Sequence, residues 1–302
     1  MPSASRTLVL CAATLLAVAG CASDDQTGSD STGTSSRPVV VTDMYPTTFA
    51  VQQVAGDAVE VVQLAPAGVE PHDYELTPRQ VQQIADADLV AYLPGMIPAV
   101  QDAVAQQAGD KSVDVTAGIA RLEPTGGDEH EPSEGDHPDG DPHVWLDPAN
   151  MTIMGSNVAT ALSKLGVATD AAGLSGQMST LDDEFRTALA HCSISTMVVS
   201  HEAFGYLAHA YGFTQVGITG LSPEAEPSAA RMAEITRLVE SEGITTVYFE
   251  TLVSPAAAES IAAETGANAV LLDPIEGNTD DKGYPALMRA NAETLKTGQS
   301  CT

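Results

Sequence analysis

From Thr196 onward the chain alternates short apolar runs with longer helical patterns. Residues 196–199, 216–218, 246–249 and 269–272 read as strands, with helices over 203–210, 227–242 and 255–264 between them. Strand and helix in strict alternation predict a parallel sheet covered by helices on both faces. The first half repeats the pattern less clearly. Residues 39–41, 59–62 and 89–92 read as strands, and Thr77-Pro78-Arg79-Gln80 opens a helix with a Thr cap, Pro at the first position and Gln three residues on. Between the halves, Leu174, Met178, Leu181, Phe185 and Leu189 recur at helical spacing and mark a connecting helix. The expected fold is therefore α/β, with two lobes of mostly parallel sheet joined by a long helix. Ligands of such sheets bind beyond the carboxyl ends of strands, which places His201 and Asp273 at the cleft between the lobes.

The N-terminus says where the lobes work. One charge at Arg6, an apolar stretch from Leu8 to Ala19 and small residues before Cys21 form a secretory leader of the lipoprotein kind. It is too short to span a membrane. In this reading residues 1–20 are removed, Cys21 is lipidated and residues 21–37 form a flexible tether. Residues 38–170 make the first lobe, 171–190 the connecting helix and 191–302 the second lobe. The protein is expected outside the cytoplasm, anchored to the cell membrane by lipid, and monomeric. Cys192 and Cys301 are then the two remaining cysteines, and outside the cytoplasm they are expected to pair. The formal charge of −29 argues against nucleic acid as a partner, because phosphate binding needs basic patches.

Three histidines carry the chemistry. His72 lies in Glu70-Pro71-His72-Asp73-Tyr74, His143 in Asp141-Pro142-His143-Val144-Trp145-Leu146-Asp147-Pro148, and His201 in Val199-Ser200-His201-Glu202-Ala203-Phe204. Taken singly, each has an ordinary explanation as a turn residue, a core histidine beside Trp145 or a helix cap. Asp147 before Pro148 is most simply a helix N-cap. The chain has no Walker A loop, no dinucleotide-binding glycine pattern and no nucleophile elbow. A zinc-protease helix would need a second histidine four residues after His201, where Gly205 stands.

The motifs that include 71–78, 141–148, 200–206 and 272–274 resemble the solute-binding proteins of zinc or manganese ABC transporters, the cluster A-I family, over most of residues 38–297. The resemblance implies two α/β lobes joined by a long helix, with one metal ion between them. It implies His72, His143 and His201 as ligands and Asp273 as the fourth. Because Asp-Pro before a loop is common, Glu70 or a water is the alternative for the fourth place. It also implies a function: a zinc carrier, not an enzyme, that delivers Zn²⁺ to a membrane permease powered by a separate ATPase. Three imidazoles favour zinc, whereas manganese prefers a site richer in carboxylates. A manganese or broad metal carrier, a metal-dependent hydrolase and an adhesin are the alternatives. Residues 123–141 form a low-complexity segment with eight carboxylates and two histidines, His130 and His137, where zinc carriers of the family often have a histidine-rich loop. An auxiliary zinc site at His130 and His137 is the expectation there.

Overall fold

Two four-stranded sheets, parallel throughout, organise the computed structural model, which describes residues 37–123, 140–278 and 282–302. The expected leader, Cys21, nearly all of the tether and His130 and His137 of the acidic segment lie outside the described residues. Among the described residues no helix is long and apolar enough to cross a membrane.

The first sheet contains β1 (Val39–Thr42), β2 (Glu60–Gln63), β3 (Leu89–Tyr92) and β4 (Ser112–Asp114) in the order β2-β1-β3-β4. Val40, Val41, Val90 and Ala91 are fully buried. Central strands of a parallel sheet are covered on both faces, so their sequences read as apolar runs. Helices α1 (Tyr45–Ala55), α2 (Pro78–Asp86) and α3 (Pro98–Gln107) connect the strands. The α2 cap is the one that the sequence predicts: Thr77 accepts the Gln80 N–H, and the Gln80 side chain returns to the Thr77 N–H. At the end of β1 the buried Asp43 accepts N–H groups from Met44 and from Leu93, each at 2.7 Å, and so ties the tips of β1 and β3 together. Burial pushes its carboxyl up to about 6 against the pull of those hydrogen bonds.

Two long helices follow, α4 (Pro148–Lys164) and α5 (Ala171–Ala188). Helix α5 carries the predicted stripe, with Leu174, Met178, Leu181 and Phe185 all buried. Gly155 of α4 lets the two helices approach closely, since a Cβ there would lie 2.3 Å from Leu174 Cδ2.

The second sheet repeats the first, with β5 (Thr196–Val199), β6 (Thr214–Gly217), β7 (Thr246–Phe249) and β8 (Asn268–Leu271) in the order β6-β5-β7-β8. Helices α6 (Gly205–Tyr211), α7 (Ala229–Glu242) and α8 (Ala256–Thr265) connect its strands, and α9 (Tyr284–Gly298) closes the chain. Ile235, Val239, Ile261 and Val247 belong to a small core of this half. The larger core is continuous through both halves and includes Val41, Trp145, Phe204, Tyr248 and Tyr284. Cys192, just before β5, is bonded to Cys301, just after α9, as expected from the cysteine count. Backbone pairs flank the bridge, with Ile194 N–H on Gln299 O at 3.2 Å and Thr302 N–H on His191 O at 3.1 Å.

Candidate metal centre

Each of the three histidines stands on a loop at the carboxyl end of a sheet, and the local sequence explains how each loop is held. After β2, Tyr74 donates its hydroxyl to Leu64 O at 3.1 Å, and Gln80 Nε2 donates to the same carbonyl at 2.8 Å. The tyrosine of the first motif and the capping glutamine of α2 thus clamp the loop that carries His72. After β4, residues 144–146 form one turn of 3-10 helix, and Asp147 caps α4 by accepting the Ala149 N–H at 2.8 Å. His143 precedes that turn. The acidic segment leaves and rejoins the fold beside it, because Asp141 N–H donates to Leu122 O at 2.9 Å and Tyr206 OH donates to Asp141 O at 3.0 Å.

Two of the rings are oriented by carboxylates. Asp141 Oδ1 accepts both the backbone N–H of His143 at 2.9 Å and its Nδ1–H at 2.8 Å. Glu250, just after β7, accepts the His201 N–H at 3.1 Å with Oε1 and meets His201 Nδ1 with Oε2. A carboxylate on Nδ1 fixes a proton there, so that in the neutral ring the Nε2 lone pair faces the cleft. Because β5 and β7 are the central strands where the order of the sheet reverses, His201 and Glu250 sit at its topological switch point.

The rings converge on one another. His143 Nε2 lies 3.3 Å from His72 Nε2 and 3.4 Å from His201 Nε2. Glu276, from the loop after β8, brings Oε1 to 3.8 Å from His72 Nε2, 3.6 Å from His143 Nε2 and 3.8 Å from His201 Nε2. Three nitrogens and one oxygen at these separations outline a tetrahedron. Bonds of about 2.0–2.1 Å to a central zinc ion imply edges of about 3.3–3.4 Å, so small side-chain adjustments suffice to close the set on one ion. His143 and His201 are fully buried, and His72 and Glu276 are 7% and 6% exposed. Glu276 Oε1 has no hydrogen-bond partner among the described residues. A buried carboxylate oxygen left without a donor is costly unless a cation completes it.

The electrostatics agree with a cation site. Burial alone would push the His143 imidazole down, but Asp141 and Glu276 outweigh it and hold the ring up at about 9. Glu70 lies at the edge of the group, where its Oε1 accepts the His72 N–H at 3.1 Å. Burial first, and then the negative charge of Glu276, push its carboxyl up to about 8. A divalent cation at the centre would relieve both.

Asp273 does not join the histidines. Its Oδ1 accepts the Ile275 N–H at 2.8 Å and shapes the turn that delivers Glu276 three residues later. The Leu272-Asp273-Pro274 motif therefore marks the right loop, while the carboxylate at the centre comes from Glu276 and not from Asp273 or Glu70. Glu276 lies outside every motif on which the resemblance rests, and nothing in the sequence alone distinguishes it from other carboxylates in loops.

Comparison with known proteins extends the picture. Residues 40–298 match the family described as zinc-uptake complex component A, periplasmic. The zinc-binding lipoprotein AdcA of Streptococcus pneumoniae is 34% identical over 275 residues, which cover 85% of this chain and 55% of AdcA. The chain thus spans about half the length of the streptococcal curated relatives it matches. The high-affinity zinc uptake system protein ZnuA of Bacillus subtilis is 32% identical over 309 residues, 96% of each chain. Among solved structures, the Zn(II)-bound ZnuA-like domain of S. pneumoniae AdcA aligns with a TM-score of 0.70 at 32% identity, covering 87% of this chain and 99% of that domain. With its two parallel sheets, its buried histidine cluster and a match over residues 40–298, the chain belongs to the family of periplasmic components A of zinc-uptake complexes.

Proposed function

We propose that this protein captures Zn²⁺ between its two halves and delivers it to a membrane permease driven by a separate ATPase. His72, His143 and His201 bind through Nε2 and Glu276 through Oε1. The observation that carries the reading is the near-tetrahedral arrangement of these four buried atoms, with edges of 3.3–3.8 Å where they are fixed. Nitrogen-rich donors suit zinc. Four protein ligands also close the coordination shell, which suits a carrier and leaves no position for a reacting water as a hydrolase would require.

In the same proposal residues 38–170 and 191–302 are the two lobes, and 171–190 is the helix that joins them. Cys21 carries the lipid that holds the protein at the outer face of the cell membrane. The disulfide between Cys192 and Cys301 supports an oxidising location, and relatives named lipoproteins support the anchor.

The test is a titration of the soluble chain from Ser36 onward, stripped with chelator, with Zn²⁺ and Mn²⁺ against a competing chelator. Tight zinc binding at one equivalent, preferred over manganese and weakened by orders of magnitude in His143→Ala, is the expected result. Zinc binding indifferent to His143→Ala would overturn the site, and a preference for manganese would overturn the choice of metal.

A further inference from the structure

Trp145 connects the loops of two of the proposed ligands. Its indole Nε1–H donates to Pro274 O at 2.7 Å, across 129 positions of sequence. Trp145 lies two residues after His143, and Pro274 lies two before Glu276. The indole is fully buried and packs against the His143 ring, with centroids 5.3 Å apart. Tyr284, at the start of α9, donates its hydroxyl to Trp145 O and holds the same turn.

The loop that receives this bond is strained. Ile275, between Pro274 and Glu276, has φ +59°. A β-branched residue enters the left-handed region only where its surroundings hold it there. Three sets of contacts do so here. Asp273 accepts the Ile275 N–H, and Asn291 of α9 accepts the Asp273 N–H at 3.0 Å while donating to Asp273 O at 2.6 Å. The third is the Trp145 bond. The first two join the loop to itself and to α9, on the second half of the chain. The indole bond reaches it from the His143 turn, which follows the first sheet.

We propose that Trp145 is a positioning residue for metal binding: its indole N–H holds the strained Glu276 loop in register with His143, so that the four donors are preorganised and metal release requires this bond to break. The proposal rests on the reading of the four-residue group as the zinc site. A net contribution typical of one buried hydrogen bond, if realised only in the metal-binding arrangement, corresponds to about a tenfold change in release rate.

The experiment measures zinc release into an excess of chromogenic chelator by stopped flow, starting from the zinc-loaded chain. It compares the native protein with Trp145→Phe and with a chain in which Trp145 is replaced by the isosteric benzothienyl analogue, which keeps the shape of indole and lacks the N–H. Both substitutions are expected to release zinc about tenfold faster, and replacement by 7-azatryptophan, which keeps the N–H, is expected to restore the native rate. Should the Phe variant fail to fold, the isosteric analogue still decides the matter. A purely structural role predicts a lower thermal midpoint for the metal-free chain with an unchanged release rate. Native release by the benzothienyl chain would therefore overturn the inference, whereas a native chain that binds no zinc would overturn the site itself.

Discussion

Glu276→Gln and Asp273→Asn, measured side by side, decide which carboxylate completes the site. Glu276 Oε1 lies 3.6–3.8 Å from all three Nε2 atoms and is buried without a hydrogen-bond donor, so its replacement by a neutral amide removes one ligand and the only carboxylate of the set. Loss of partners that merely orient a metal ligand already costs about 10–100-fold in affinity, and loss of the ligand itself should exceed the upper end of that range. The expected change in zinc Kd is therefore more than about 100-fold. Asp273 acts through the Ile275 N–H, and an asparagine oxygen accepts the same bond, so Asp273→Asn should change Kd by less than about threefold, within the worth of one modest hydrogen bond. Competition against a chromogenic chelator gives both constants. Thermal unfolding with and without zinc supplies the control. The metal-free Glu276→Gln chain should melt close to the native one, because the substitution removes both the repulsion that helps to push the Glu70 carboxyl up to about 8 and the attraction that helps to hold the His143 ring up at about 9. What it should lose is the rise in melting temperature that zinc gives by mass action. A large effect of Asp273→Asn, or zinc affinity within threefold of native in Glu276→Gln, would refute the assignment.

The remaining expectations follow from the same contacts. His143 stays protonated in the metal-free protein up to about pH 9, and zinc binds only the neutral ring. Binding near neutral pH should therefore release about one proton from this ring, so affinity falls by at least about tenfold per unit of acidification; calorimetry in buffers of different ionisation enthalpy counts that proton, and a flat affinity between about pH 7.5 and about pH 5 contradicts a three-histidine site. Removing the disulfide as Cys192→Ser with Cys301→Ser relaxes an unfolded chain that was closed across 109 positions, which by loop entropy costs up to about 5 kcal/mol. Calorimetric melting should show a fall of up to about 10–20 °C, while zinc affinity stays within about twofold because the bridge lies at the opposite end of β5 from His201. In Gly217→Ala the new Cβ would lie 2.2 Å from Thr219 O and 2.5 Å from Glu202 Cγ, so the backbone beside His201 must move. Urea unfolding should show a loss of about 1–3 kcal/mol, and zinc affinity should fall with it.

The sequence was most legible where one physical constraint dominated. Strands β3, β5 and β7 were read to their end residues, because a strand covered on both faces is an apolar run with polar breaks. The caps at Thr77 and Asp147 were legible because their signature is local. Helix α1 was not, since nine of its residues from Tyr45 to Ala55 are buried and no amphipathic period survives. Three-residue β4 was too short to read. At the site, the three histidines stood out because each sat in an extended motif. Glu276 did not, because its role depends on the turn built by Asp273, Ile275 and Asn291, and only the tertiary fold brings that turn to the rings.

The repetition of one sheet order in both halves explains why four distant residues meet. Each half ends its strands toward the other, and each gives two donors, His72 and His143 from loops after β2 and β4, His201 and Glu276 from loops after β5 and β8. No half holds enough ligands to bind zinc tightly by itself. On the proposed reading, metal binding is coupled to the contact between the halves, and the free energy of four bonds adds to a core that already runs through both. That continuous apolar core disfavours wide separation of the halves, because parting them would expose Trp145, Phe204 and Tyr284 to water. On the proposed reading, release is expected to start with a change in the ligand loops. The Glu276 loop is suited to make it, since the left-handed Ile275 stores strain that a local rearrangement can relieve.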